Sequence, residues 1–267
     1  MKKAYHAHAR QAAQKAARPK KTRGKLTPEK VVERLKKAPR VHITHGNGKT
    51  EIDAFNLLAG DGAAHSYDGT MPAVIKDAAP EFVAACRGTC GAGCDCSGCY
   101  AKNTTRYPDA FFNYAENTFL AFSAPAATVA AVEKEVFGNG NAPALFRIHD
   151  SGDFFSLEYF AAWMECIKRH PATSFGAYTK RADIVNAYGI ENLPENLSLL
   201  CSPWEGFCEP IGDLPQFIYD DGTNPELAGV SHCPAVDKDG KRTGITCKMC
   251  GYCYHAKRGT RRAVYAH

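Results

Sequence analysis

No apolar run in the 267-residue chain approaches the roughly 20 residues that a membrane-spanning helix needs. Met1 to Lys25 also lacks the apolar stretch of a secretory signal, being basic and alanine-rich. These absences set the expectation of a cytoplasmic chain with no membrane partner. They also remove the oxidising setting in which disulfide frameworks usually form. Acidic residues are scarce at the start: residues 1–40 hold 14 Lys or Arg against Glu29 and Glu33, a net +12, so the remainder carries 19 basic and 26 acidic residues, net −7. With few large apolar side chains, this opening is expected to be a basic, largely flexible arm ending in a lead-in helix. It is either a solubilising tail or a non-specific contact for the phosphates of DNA or RNA.

Cysteine is plentiful, and its placement is uneven. Nine of 12 cysteines fall in two groups: Cys86, Cys90, Cys94, Cys96 and Cys99 in a glycine-rich loop, and Cys233, Cys247, Cys250 and Cys253 near the C-terminus. The second group reads C-P-x12-C-x2-C-x2-C, a triplet at a three-residue step with a distant fourth member before Pro234, as in loops that wrap the corners of an iron-sulfur cube. Zinc is the alternative occupant, but it usually takes two separated C-x2-C pairs. His255 also keeps a Cys3His zinc site open. A length of 267 residues is enough to bury a sizeable core without metal, so the clusters point to function as well as structure. In the first group, glycines let the backbone turn tightly and aim amides at sulfur. If only three of its five cysteines bind, one iron of a cube stays open to substrate. Of the remaining cysteines, Cys166 lies on the apolar stripe of a helical pattern and reads as a small core residue, while Cys201 and Cys208 bracket a loop containing Trp204.

The middle of the chain alternates strand and helix patterns: strand at 144–149, helix at 156–169, strand at 174–179, helix at 182–188, strand at 197–201. Such alternation implies parallel strands joined by right-handed crossovers. Polar residues follow each strand: Asp150, Ser151, Gly152 and Asp153 after the first, Lys180 and Arg181 after the second, Ser202 and Trp204 after the third. Sites in parallel α/β folds are assembled on that rim. We therefore expect a TIM-like full or partial barrel over 41–230, carrying the cysteine loop 86–99 and followed by a cysteine-rich metal-binding module at 231–267. Within the first strand, strict alternation puts Leu145, Arg147 and His149 on one face. On that basis His149 is a candidate proton shuttle or ligand, and Arg147 an anion holder. Asp150 and Asp153 are candidates for orienting cofactor or substrate, and Lys180 and Arg181 for holding a phosphate or carboxylate. Earlier in the chain, Thr27-Pro28 marks a helix start, 51–58 a strand, and 110–122 and 126–137 helices.

In order, Cys90-x5-Cys96-x2-Cys99-Tyr100-Ala101, then Phe146-Arg147-Ile148-His149-Asp150-Ser151-Gly152-Asp153-Phe154, then Ala177-Tyr178-Thr179-Lys180, then Cys233-Pro234 and the Cys247 triplet resemble the phage "gene product 88" family. The resemblance covers most of 50–255. The Cys-Tyr-Ala ending also looks like phage proteins distantly related to radical S-adenosylmethionine enzymes. That resemblance implies a barrel-like fold with one or two [4Fe-4S] clusters, S-adenosylmethionine as a further cofactor and an electron donor as a partner. Cys90, Cys96 and Cys99 would then hold the reactive cluster, with Cys86 or Cys94 as a fourth ligand, and the C-terminal four would hold a structural or electron-relaying one. The spacing departs from the C-x3-C-x2-C of radical enzymes: Cys86 to Cys90 and Cys90 to Cys94 supply the first gap, and no cysteine follows at the second. The implied activity is on nucleic acid or a nucleotide, the alternative being a zinc-stabilised or redox-sensing nucleic-acid-binding protein.

Overall fold

The computed structural model describes residues 26–46, 49–60, 73–85, 88–91, 101, 107–140, 142–203 and 208–265. Helix α1 (Pro28–Leu35) starts where Thr27 and Pro28 predict: the Thr27 hydroxyl accepts from the Lys30 amide and Pro28 occupies the first turn. Two short strands follow, β1 (Ile43–Thr44) and β2 (Ala54–Phe55). The extended pattern at 51–58 thus yields only two ladder residues, because Asn56 onward leaves the sheet to make side-chain contacts. Helices α2 (Ala73–Ala78), α3 (Pro80–Ala85), α4 (Pro108–Ser123) and α5 (Pro125–Phe137) precede the alternating region.

That region runs β3 (Leu145–Ile148), α6 (Leu157–Arg169), β4 (Ser174–Thr179), α7 (Ala182–Tyr188) and β5 (Leu197–Cys201). Three further elements lie beyond it: β6 (Gln216–Asp220), α8 (Cys247–Cys250) and β7 (Arg261–Tyr265). The seven strands form one sheet in the order of the sequence, β1 pairing antiparallel to β2 and every other neighbour parallel. A full barrel is not what forms: among the described residues no pairing joins β7 back to β1, and the sheet has two edges. The C-terminal segment is tied into this sheet, since β7 pairs with β6 from Gln216–Arg261 to Asp220–Tyr265.

From β2 to β5, the sequential order of parallel strands sends each crossover to the same side, because these crossovers share one hand. The core reflects this. Phe146, Ile148, Phe175, Ala177, Leu199 and Cys201 pack with Val129 and Val132 of α5, Phe160, Trp163 and Ile167 of α6, and Ile184 and Val185 of α7. Trp163 is fully buried and stacks near Phe146 at 6.4 Å. Full burial of one such side chain contributes on the order of 2–3 kcal/mol. Residues of opposite parity, Arg147, Gly176 and Tyr178, face away from this helical layer and meet the C-terminal segment instead.

Candidate functional site: a strand rim and a cysteine patch behind it

Two neighbourhoods gather the residues that carry chemistry. The first is the rim at the C-terminal ends of β2 to β5. Asn56, fully buried, organises it. Its amide donates to Thr44 Oγ1 (3.1 Å) and Tyr114 Oη (3.3 Å), and its Oδ1 accepts from the Asp150 (2.6 Å) and Ser151 (3.1 Å) amides, holding the turn after β3. Asn117 adds a bond to the Asn56 carbonyl (2.9 Å). Neither asparagine stands out in the sequence, where each is one polar residue in an unremarked stretch; only the partners reveal the role.

Asp153 is the second organiser. Its carboxylate accepts from Phe154 N (2.7 Å), Thr179 Oγ1 (2.8 Å) and Lys180 N (2.8 Å), locking the β3 loop to the end of β4. Burial pushes its pKa up against the pull of these donors. Both oxygens are therefore engaged within the protein. Asp150 lies 3.6 Å from Arg147 Nε, and Lys180 Nζ reaches Ser202 Oγ at 3.0 Å. Arg181 pairs with Asp183 (2.6 Å) and reaches the Phe154 carbonyl (3.3 Å).

Cys90 joins this rim. Its amide bonds the Gly60 carbonyl, its Sγ accepts from Gly60 N at 3.2 Å, and the adjacent Thr89 hydroxyl links the Leu58 carbonyl (2.9 Å) to Asp153 N (2.8 Å). A Cβ at Gly91 would stand 3.4 Å from the Arg181 side chain. Cys86, Cys94, Cys96, Cys99 and Trp204 lie outside the described residues.

His149 departs from the expected alternation. A φ of 63° turns it off the Arg147 face, and its ring sits 5.1 Å from Phe154 and 5.8 Å from Tyr159, with Nε2 bonded to Tyr159 Oη at 2.9 Å. Burial, with Arg147 adding to it, lowers its pKa to about 3. It is a neutral ring inside the aromatic layer, on the opposite side from Arg147.

The second neighbourhood lies on the Arg147 face. Cys247 and Lys248 of α8 donate their amides to the carbonyls of Lys49 (2.9 Å) and Thr50 (3.2 Å), and Cys233 donates to the Ala263 carbonyl (2.7 Å). The loop after α8 then lies against β4: a Cβ at Gly176 would come within 2.7 Å of the Tyr254 ring and 3.2 Å of the Cys253 carbonyl. Only glycine leaves that space. Cys233, Cys247, Cys250 and Cys253 are thus neighbours near enough to act on one another electrostatically. Burial pushes the Cys247 thiol up to about 11, and Cys253 and Cys233 add to the rise while Arg147 opposes it. Cys253 is raised chiefly by burial, against a hydrogen bond from Tyr178 and the charge of Arg147.

Among the described residues, no three of these sulfurs converge within 4.8 Å. The trio that does so is Glu133, Cys166 and His170. Glu133, however, is already held by Arg169 (2.6 Å) and His170 (2.8 Å), and burial pushes the Cys166 thiol to about 12. Cys166 is fully buried, the core role its helical position suggests. Cys201 and Cys208, both buried, have sulfurs 4.0 Å apart. No described helix is long and apolar enough to cross a membrane.

Comparison with known proteins bears on the rim. The family model for Gene product 88 matches residues 43–207, more than half of the chain. The chain belongs to this family. It is 34% identical over 134 residues to the Gene 88 protein of Mycobacterium phage L5, covering 44% of this chain and 53% of that one. With the Gene 88 protein of Mycobacterium phage D29 the identity is 30% over 134 residues, with the same coverage. The chain therefore spans about half the length of the curated relatives it matches. No solved structure matches. The Gene product 88 match takes in β1 to β5, the rim residues and the cysteine loop, and it ends before Cys233. A Gene product 88 likeness gives a phage lineage and no activity.

Proposed function

We propose that this Gene product 88 protein is an iron-sulfur enzyme with two cluster-binding cysteine groups, of the radical S-adenosylmethionine type and acting on nucleic acid or a nucleotide. The observation that carries the cluster reading is the gathering of Cys233, Cys247, Cys250 and Cys253 from two segments into one patch against β4. Burial and mutual repulsion oppose ionisation of Cys247 there. A bound metal centre reverses that balance, because metal ligation requires thiolates and stabilises them.

In this reading the second group acts at the rim that Cys90 joins. Cys90, Cys96 and Cys99, with Cys86 or Cys94 as a fourth ligand, would hold the reactive cluster beside Asp150, Lys180 and Arg181. Such a cluster, when bound, supplies the electron for reductive cleavage of S-adenosylmethionine. Lys180 would hold a phosphate or carboxylate of the substrate or cofactor. Asp153, with both oxygens engaged, orients the Lys180 backbone and acts as a positioning residue. The basic residues 1–40 would bind the nucleic-acid backbone.

Anaerobic purification with iron, sulfide and zinc analysis tests this function. We expect a brown protein with iron and sulfide for two cubes, forming 5′-deoxyadenosine when reduced with S-adenosylmethionine. A colourless protein with stoichiometric zinc would sink the cluster reading. A fully loaded protein that never cleaves S-adenosylmethionine would sink the enzymatic one.

A further inference from the structure

We infer that Cys201 and Cys208 form a thiol redox site, which closes to a disulfide when a small hydroperoxide reaches Cys208 and reopens under reductant. Both cysteines stand apart from the two groups assigned to clusters, and the inference holds whether or not those groups carry iron. Cys201 ends β5 and Cys208 follows seven residues on, with their sulfurs 4.0 Å apart. The Glu209 carbonyl lies within reach of both, 3.6 Å from Cys201 Sγ and 3.3 Å from Cys208 Sγ, so the two thiols are held around one acceptor as a pair. Cys166, equally buried, makes no such contact with another sulfur among the described residues. Cys201 is also the residue through which β5 pairs with β6, opposite Gln216, and its amide donates to the Pro215 carbonyl at 2.8 Å. The next residue, Ser202, holds Lys180 Nζ at 3.0 Å. The pair therefore sits where the rim meets the C-terminal part of the sheet.

A disulfide holds its sulfurs about 2.05 Å apart, so closure needs a shift of about 1 Å from each side chain. Burial assigns the roles: Cys201 is fully buried, whereas Cys208 keeps 5% of its surface open to a small oxidant. The hydrogen bond between the thiols agrees, holding Cys208 below the ordinary thiol value and Cys201 above it. The thiolate is the reactive form, so Cys208 attacks first. Its sulfur bonds one oxygen of hydrogen peroxide as the O–O bond breaks, leaving a sulfenic acid, and the departing hydroxide takes up the proton that Cys208 released. The Cys201 sulfur then displaces the hydroxyl from Cys208, forming the S–S bond, and the Cys201 proton leaves with it as water. Two thiols and one peroxide thus give one disulfide and two waters. A resolving thiol at 4.0 Å also intercepts the sulfenic acid before further oxidation. In a reducing compartment the bond is transient, as sensing disulfides are.

The test exposes the full chain, purified anaerobically with its thiols reduced, to hydrogen peroxide, then unfolds it in an alkylating reagent and cuts it after glutamate. Cleavage at Glu205 separates Cys201 from Cys208, so mass spectrometry reads the bond as two peptides joined together and released by dithiothreitol. We expect that joined pair, with Cys166 alkylated throughout. Cys201→Ser should stop the reaction at the Cys208 sulfenic acid, which dimedone labels, and Cys208→Ser should leave Cys201 alkylated. Cys201 and Cys208 both still alkylated after other cysteines of the chain have oxidised would overturn the inference, as would Cys208 joined to a cysteine other than Cys201. Neither result depends on iron or zinc content, so the cluster reading stands or falls separately. Should Cys201→Ser fail to fold, the peptides of the parent chain decide alone.

Discussion

His149 shows how one backbone angle reassigns a residue. Alternation along β3 puts it beside Arg147, yet its left-handed φ of 63° delivers the ring to Phe154 and Tyr159. That conformation costs a non-glycine residue about 1 kcal/mol or more, so the surroundings must hold it. Nε2 is bonded to Tyr159, and Nδ1 is buried with no hydrogen-bond partner among the described residues. A proton added there would be a buried charge near Arg147. The folded ring therefore titrates near pH 3, whereas in the unfolded chain it titrates near its ordinary value of about 6.5. Between those values the unfolded state binds the extra proton. His149 thus supports the fold fully above about pH 6.5, and that support is lost as pH falls toward 3, by at most about 1.4 kcal/mol per pH unit. Urea unfolding from pH 7 to pH 4 should show a shallower pH dependence in His149→Gln than in the parent. Equal slopes would place the ring in contact with water.

Helix α6 illustrates which element boundaries a sequence reveals. Its start is legible, since the Ser156 hydroxyl accepts from Tyr159 N at 3.2 Å, a local cap at the expected spacing. Its end is not, because the final carbonyls are satisfied from far along the chain. The Asn196 amide donates to the carbonyls of Ile167 (3.1 Å), His170 (3.0 Å) and Thr173 (3.1 Å). Asn196→Ala should therefore cost about 2 kcal/mol of unfolding free energy through orphaned acceptors, measured by chemical denaturation; a change under about 0.5 kcal/mol would mean water replaces the amide. The same distinction governs the strands. β3, β4 and β5 are covered on both faces and read as apolar runs, so their spans were legible. β6 and β7 lie toward the sheet edge, with Tyr219 and Arg261 exposed, and their patterns do not stand out. The rim was foreseeable because strand ends carry polar residues. The bracket made by Asn56 and Asp153 was not, because it depends on partners up to 95 residues away.

Charge along the whole molecule divides into three parts. Residues 1–40 carry +12, residues 41–230 hold 11 basic and 24 acidic side chains for −13, and residues 231–267 hold 8 basic and 2 acidic for +6. The segment bearing the C-terminal cysteines is thus basic against an acidic body. Beyond the β6–β7 ladder, the stretch around α8 is seated through Cys247 N to Lys49, Lys248 N to Thr50, Thr246 Oγ1 to Glu51 and the close approach at Gly176. The helical side of the sheet depends on none of them, being sealed by the aromatic layer around Trp163. Metal ligation at the four cysteines would add its binding free energy to this seating alone. Chelation under anaerobic conditions should then speed amide hydrogen exchange at Cys233, Cys247 and Lys248, while Phe175 and Cys201, whose amides bond across the sheet to Asn196 and Pro215, keep their protection. Uniform acceleration would mean that the cysteine patch and the sheet unfold as one cooperative unit, and unchanged exchange at all five amides would mean that no metal holds the segment.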